Sequence, residues 1–174
     1  MKKFLGFVLV AVLVLGLVAT SAFAADLKVG KAEWAAHGTK CFTIAFVVLE
    51  GDTIVRAIID EYQFLPKAEV TGVPNSEIEN GLAADFANPD RVLASKRLNS
   101  DYYSNNMAKA GSTVSILDNF TAIENYVVGK TVAELESILN SNSKEAMVDA
   151  VTGATLVDTD GYLWAILAAA KNAN

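Results

Sequence analysis

Two apolar runs separated by a short polar turn mark the first clear structural pattern in the chain. Phe42 to Leu49 is continuous and rich in Val, Ile and Phe, and Thr53 to Phe64 resumes with branched and aromatic residues. The intervening Glu50-Gly51-Asp52 is typical of a tight turn, so the pattern predicts a β-hairpin. Neither run alternates cleanly between apolar and polar residues, which predicts that much of both faces of these strands is covered.

The apolar periodicity weakens from Pro66 to Asp118, where Gly and Pro punctuate the chain. A structureless loop of this length is uncommon in a compact domain, so we expect short elements joined by ordered loops. Leu82 to Phe86 and Val92 to Leu98 are each compatible with a helical turn or a short strand. Asn99 to Ser104 is interpreted as a polar-aromatic loop, either lining a site or covering the surface.

The following segment predicts two helices. Thr121-x-x-Glu124 and Thr131-x-x-Glu134 both match the capping box, in which a Thr and a Glu three residues apart satisfy the first N–H groups of a helix. The two helices would meet at Gly129-Lys130, and the second would end between Asn140 and Ser143.

A third helix is predicted at the C-terminus, where four apolar residues recur at helical spacing. These are Leu163, Ile166, Leu167 and Ala170. Asp158, Thr159 and Asp160 are the candidate caps, and their acidity suits a helix N-terminus. Strands followed by a mixed segment and then helices predict an α+β fold, with a small antiparallel sheet that includes the hairpin and is packed with helices.

The N-terminus resembles a secretory signal. A basic start at Lys2-Lys3 precedes an apolar run from Phe4 to Val18, and Ala22-Phe23-Ala24 supplies the small-x-small pattern of a cleavage site. We therefore predict a signal peptide over 1–24 and an extracytoplasmic domain over 25–174. The alternative is a retained anchor, although the apolar run is shorter than the ~20 residues that span a bilayer.

Charge and cysteine content narrow the function further. The formal net charge is −6, and without Lys2 and Lys3 it becomes −8, with 12 basic against 20 acidic side chains. This balance opposes binding to nucleic acid and leaves at most peripheral membrane association. Cys41 is the only cysteine, so an intramolecular disulfide is excluded, and a buried inert thiol is the expected role. His37 is the only histidine, which argues against a histidine-based metal site and against a catalytic triad.

One small-residue segment precedes the predicted C-terminal helix. Thr152-Gly153-Ala154-Thr155 has two hydroxyls around a glycine, so another molecule could approach its backbone closely. Either hydroxyl could accept a phosphate or be esterified, and an ordinary tight turn is equally compatible with the residues alone.

Together with Asp149, this segment resembles the acceptor motif Asp-x-x-[Ser/Thr]-Gly-Ala-Thr of the FMN-binding domain family. That family includes the flavin-carrying subunits of sodium-pumping NADH:quinone reductase and of Rnf complexes. The resemblance implies FMN as cofactor, esterified through its phosphate to Thr155 by an FAD-dependent FMN transferase. It also implies that Asp149, Thr152, Gly153 and Ala154 form the rest of the cofactor-binding motif.

The resemblance implies an exported electron carrier that passes electrons to or from a membrane-associated redox partner. An enzyme with its own substrate is less expected, because the chain offers no nucleophile–base pair beyond one histidine and scattered carboxylates. Two alternatives remain open at this point: a module that binds FMN without a covalent bond, and a secreted interaction domain without cofactor. Four aromatic residues are candidates for stacking on a flavin ring, although a position in the core or at the surface is the favoured interpretation of each: Tyr102, Tyr103, Tyr126 and Trp164.

Overall fold

A four-stranded antiparallel sheet forms the centre of the computed structural model, which describes residues 26–38 and 40–174. The strands follow one another in the order β1-β2-β3-β4, so each pairs with its neighbour in sequence. They span β1 Leu27–Trp34, β2 Cys41–Glu50, β3 Thr53–Pro66 and β4 Arg91–Ser95. The hairpin predicted from the two apolar runs is confirmed as β2 and β3, with Gly51 at φ 63° in the turn. The fold is α+β.

Five α-helices cover one side of this sheet. Their bounds are α1 Ser100–Lys109, α2 Ile116–Val127, α3 Val132–Ser141, α4 Lys144–Ala150 and α5 Thr159–Lys171, and a short 3-10 turn occupies Leu82–Asp85. Helix α5 packs across β1, β2 and β3, while α2 packs on β3, and α3 and α4 lie against α5. The fold thus has two layers, with the motif segment between α4 and α5 on the helical side.

The core lies between the inner face of the sheet and the helices. The strands contribute small and branched residues, and the helices contribute larger ones that are fully buried. All four residues of the predicted apolar stripe on α5 are buried, which confirms the C-terminal helix. Gly30 on β1 lies directly against α5, because a Cβ built at Gly30 would lie 1.9 Å from the backbone oxygen of Ala169. The absence of a side chain at this position therefore sets how closely α5 approaches β1.

The opposite face of the sheet is open, contrary to the expectation that both faces are covered. Four large apolar side chains on this face are exposed, with relative accessible areas of 37% for Phe42, 45% for Phe46, 41% for Ile58 and 43% for Phe64. Within residues 26–38 and 40–174, the helices pack on the inner face only. The irregular alternation of the two runs therefore reflects apolar residues on an open surface.

Three further expectations about helices need correction. Helix α2 begins at Ile116 with Ser115 as its cap, so the box proposed at Thr121 lies inside the helix. The segment Asn99 to Ser104 is the start of α1 rather than a loop. Helix α4 was not expected at all. The capping box at Thr131 is confirmed in full. The predicted signal peptide over 1–24 lies outside the described residues.

Candidate functional site

The segment that resembles the acceptor motif forms a tight turn between α4 and α5. The backbone N–H of Ala154 donates to the carbonyl of Val151 at 3.0 Å, so Thr152 and Gly153 are the central residues of the turn. Gly153 has φ of 92°, a conformation that side-chain-bearing residues seldom adopt. A left-handed residue at the second central position is what a type II turn requires, which explains the glycine.

Thr155 follows this turn and is exposed. Its backbone N–H donates to the side-chain oxygen Oδ1 of Asn119 at 2.6 Å. Its hydroxyl lies 3.4 Å from the same oxygen, in a direction compatible with a weak second hydrogen bond. The residue therefore lies at the surface, while the backbone behind it is held from α2.

Asn119 is completely buried and its orientation is fixed. Its side-chain nitrogen donates to the carbonyls of Val114 at 3.3 Å and of Ser115 at 2.8 Å. Both amide hydrogens are thus used, and the oxygen can point only toward Thr155. Sequence reasoning missed this residue. A signal was present, because Asn119 interrupts the apolar stripe that Ile116 and Ile123 define on α2.

The other motif residues are divided between the turn and the end of α4. Thr152 and Gly153 are exposed, and Ala154 is 8% exposed, packed into the core. Asp149 is an exposed residue in the last turn of α4, in an open groove of about 470 Å³. Val157 also lies in the wall of this groove, whereas residues 152–155 do not. The structure therefore places Thr152 and Gly153 in the turn, Ala154 and Thr155 directly after it, and Asp149 on the wall of a groove along α4.

Asp158 anchors the chain just beyond Thr155. It accepts from Lys144 at 2.5 Å and pairs with His37 Nδ1 at 2.5 Å. Burial by itself would raise the pKa of Asp158, but hydrogen bonding and charge from Lys144 and His37 outweigh burial and lower it. The carboxylate therefore ties the loop before β2, the start of α4 and the start of α5 together. The negative charge of Asp158 is thus balanced by Lys144 and His37.

The four aromatic residues considered as candidates for stacking on a flavin have other contacts. The Tyr103 ring lies under the ammonium of Lys96, 4.2 Å from the ring centroid. The Tyr126 ring lies 4.1 Å from the ammonium of Lys130. Tyr102 and Trp164 are half-buried in α1 and α5. None of these contacts assigns a ring-binding role to the four residues, which stays a prediction.

A second polar cluster, not expected from the sequence, lies in the core around Glu61. This carboxylate is completely buried and is paired with Lys96, which is 1% exposed. Thr43 donates to Oε1 at 3.2 Å and Tyr162 donates to Oε2 at 2.7 Å. Cys41 also donates to Oε1, at 3.3 Å. All the lone pairs of this buried carboxylate therefore have donors, as a buried charge requires.

The thiol and the phenol of this cluster keep their protons. Burial and the charge of Glu61 raise the pKa of Cys41 to about 12. The same two causes raise the pKa of Tyr162 well above its usual range. Cys41 is therefore a thiol at neutral pH and a poor nucleophile, since the thiolate is the reactive form.

Two further properties bear on function. Across 26–38 and 40–174, no group of His, Cys, Asp and Glu is arranged to hold a metal ion. Among the helices in the same ranges, none is both long and apolar enough to cross a membrane. The chain was also compared with protein-family models, curated proteins and solved structures. No match was found.

Proposed function

We propose that the protein is an exported electron carrier with FMN attached through its phosphate to Oγ1 of Thr155. The observation that supports this most directly is the exposed Thr155 hydroxyl beside a backbone fixed by Asn119. An acceptor for a transferase must be accessible from outside and must not be part of the core, and Thr155 meets both conditions. The resemblance of Asp149 and residues 152–155 to the acceptor motif supplies the choice of FMN.

The residues around Thr155 fit such a group. Gly153 has no side chain to obstruct the approach, and the nearest atom to a Cβ built there is Cβ of Ala122 at 3.5 Å. The groove of about 470 Å³ beside Asp149 has apolar surface from Val148 and Val157 and charged side chains from Lys144 and Glu145. Asp158, the cap residue just before α5, is paired with Lys144 and His37, which reduces its repulsion of a phosphate.

Attachment would proceed by transfer from FAD, catalysed by an FAD-dependent FMN transferase. Oγ1 of Thr155 forms the new bond to the flavin phosphate, the pyrophosphate bond to the adenylate half breaks, and AMP leaves while the hydroxyl loses its proton. The carrier's own part is to present the hydroxyl. Once bound, FMN supplies one- and two-electron transfer, and Thr155 acts as a tether.

A covalent tether is consistent with an extracytoplasmic location, which the N-terminal sequence predicts. Free flavin is scarce outside the cytoplasm, so a reversibly bound cofactor would be lost by dilution, whereas a phosphoester has no dissociation equilibrium. The acidic surface favours a protein or small-molecule redox partner at the membrane over nucleic acid.

The test is co-expression with an FMN transferase, followed by denaturing electrophoresis and peptide mass measurement. We expect a fluorescent band, with a mass increase of one FMN less water on the peptide that contains Thr155. Thr155→Ala should abolish the band. Thr121→Ala, which removes another exposed threonine hydroxyl outside the motif, should leave it unchanged. An unmodified Thr155 despite an active transferase would overturn the covalent proposal. Flavin released by acid would then indicate non-covalent binding, and a colourless protein would indicate an interaction domain.

A further inference from the structure

The open face of the sheet contains a groove that the motif does not explain. Its volume is about 610 Å³ and it lies at the end of the face where β2 begins and β3 meets β4. Aromatic, aliphatic and cationic side chains line it: Lys40, Phe42, Tyr62, Phe64, Arg91 and Leu93. Sites for small molecules in proteins have volumes of about 300–1,000 Å³, so the groove has the size for one.

Aromatic rings form the walls of this groove. Phe42 and Tyr62 are stacked with ring centroids 5.5 Å apart and an angle of 13° between their planes. Phe64 is held edge-on by Phe86, with centroids 4.9 Å apart and an angle of 89°. Rings in such fixed orientations favour a planar molecule, which gains by stacking and by edge contacts.

Two cations lie beside these rings. Nη1 of Arg91 donates to the carbonyl of Phe64 at 2.9 Å, which holds the guanidinium at the groove and leaves its other N–H groups free for a ligand. Lys40 adds a second positive charge. The carboxylate of Asp60, on the same face of β3, is engaged by Ser95 Oγ at 2.5 Å. In a chain of net charge −6, this local excess of positive charge favours an anion.

We propose that this groove is a binding site for a planar aromatic anion. The ring lies against Phe42 and Tyr62, and the anionic group lies at Arg91 and Lys40. The site is on the opposite face of the sheet from the motif turn, so it does not depend on modification of Thr155.

The test is a titration of the mature chain made without a transferase, with Thr155 shown by mass to be unmodified. Flavin mononucleotide is the probe, because it combines a planar aromatic ring and a phosphate. Riboflavin has the same ring without the charge, and inorganic phosphate has the charge without the ring. Quenching of flavin fluorescence gives the Kd. We expect flavin mononucleotide to bind about tenfold more tightly than riboflavin, as one charge-assisted contact provides. Phosphate alone should not compete.

Four variants locate the site. Arg91→Gln should remove the tenfold advantage and leave riboflavin binding unchanged, whereas Phe42→Ser should weaken both flavins. The matched controls are Arg56→Gln and Phe46→Ser, at exposed positions on the same sheet face outside the groove, and neither should change binding. Thermal unfolding verifies that each variant is folded. Binding that Arg91→Gln and Phe42→Ser leave intact, or no quenching at millimolar probe, would overturn the proposal. Equal weakening by Phe46→Ser would also overturn it, because the whole face rather than the groove would then be the contact.

Discussion

The side-chain oxygen of Asn119 accepts a 2.6 Å hydrogen bond from the backbone N–H of Thr155, across 36 positions of the chain. A completely buried residue of α2 therefore fixes the position of an exposed residue in the loop between α4 and α5. This arrangement combines an accessible hydroxyl with a rigid backbone, which is the property that a modification acceptor needs.

Asn119→Ala should loosen the loop around Thr155. The variant loses the acceptor of Thr155 N–H and the donor to Ser115, so we expect the free energy of unfolding to fall by about 1–3 kcal/mol. Amide hydrogen exchange at Thr155 should accelerate by more than exchange in the core of α5. Asn125→Ala, at an exposed position of the same helix, is the control and should change neither quantity. Unchanged protection of Thr155 in Asn119→Ala would show that other contacts hold the loop.

Gly153→Ala should destabilise the protein for a purely conformational reason. The nearest neighbour of an added Cβ is Cβ of Ala122 at 3.5 Å, an ordinary van der Waals distance, so no steric overlap is involved. The φ of 92° is the cause, and it should cost about 1–2 kcal/mol. Urea denaturation measures this cost. Thr152→Ala, at the exposed neighbouring position, should remain within about 0.5 kcal/mol of the wild type. Equal midpoints for the two variants would contradict the assigned turn.

Gly30→Ala should have a steric origin and a larger effect. An added Cβ would lie 1.9 Å from the carbonyl oxygen of Ala169, so α5 must move away from β1. We expect a loss of about 3 kcal/mol, at the upper end for overpacking. Glu33→Ala, on the exposed side of the same strand, removes only a surface pair with Lys31 and should leave the melting temperature close to that of the wild type. A wild-type melting temperature for Gly30→Ala would show that the contact is wrong.

Lys96→Met should leave the buried carboxylate of Glu61 without its counter-charge. Removing one partner of a buried pair costs about 3–5 kcal/mol, and Lys96→Met combined with Glu61→Gln should recover a large part of this loss. A double-mutant cycle measures the coupling between the two residues. Additive losses would contradict a direct pair.

The same pair predicts a specific pH dependence. Burial would lower the pKa of Lys96, but the charges of Glu61 and Tyr103 outweigh burial and raise it above the usual value. A raised folded-state pKa means that the stabilisation is fully present below the unfolded-state value of about 10.5 and is lost as pH rises through the folded-state value. The stability difference between wild type and Lys96→Met should therefore be constant from pH 7 to about 9.5 and should narrow at higher pH. A difference that widens with rising pH would contradict the assignment.

The sequence was informative wherever a local signal was sufficient. The hairpin, the capping box at Thr131 and the buried stripe of α5 were all predicted from spacing alone. The start of α2 was not, because Thr121 and Glu124 imitate a capping box while Glu124 in fact accepts from the backbone N–H of Ile59 at 2.7 Å. A partner 65 positions away cannot be inferred from the spacing of two residues.

In the candidate site, too, the local features could be predicted from the sequence and the tertiary contacts could not. The turn around Gly153 follows from its small residues, and the exposed position of Thr155 is consistent with them. Asn119 depends on a tertiary contact, for which the only signal was a polar residue in an apolar stripe. The cluster around Glu61 joins three strand residues, Lys96 after β4 and Tyr162 on α5, and nothing in the sequence links these residues to one another. The prediction that both sheet faces are covered was wrong for the same reason. Apolar residues on both faces of a strand show that both could be buried, but burial also needs a helix or sheet to pack on each face.

The contact between β1 and α5 has a consequence for the order in which the protein acquires its structure. Residues at the two extremes of the described chain meet there, since Asn174 accepts from the N–H of Val29 at 3.4 Å and Asn172 donates to the carbonyl of Lys31 at 3.1 Å. The first strand therefore has no final packing surface until the last helix has been synthesised. A chain emerging in one direction, from a ribosome or through a membrane pore, must hold β1 and β2 without their helical cover until then. Such late closure favours slow folding and gives chaperones a long period in which to bind.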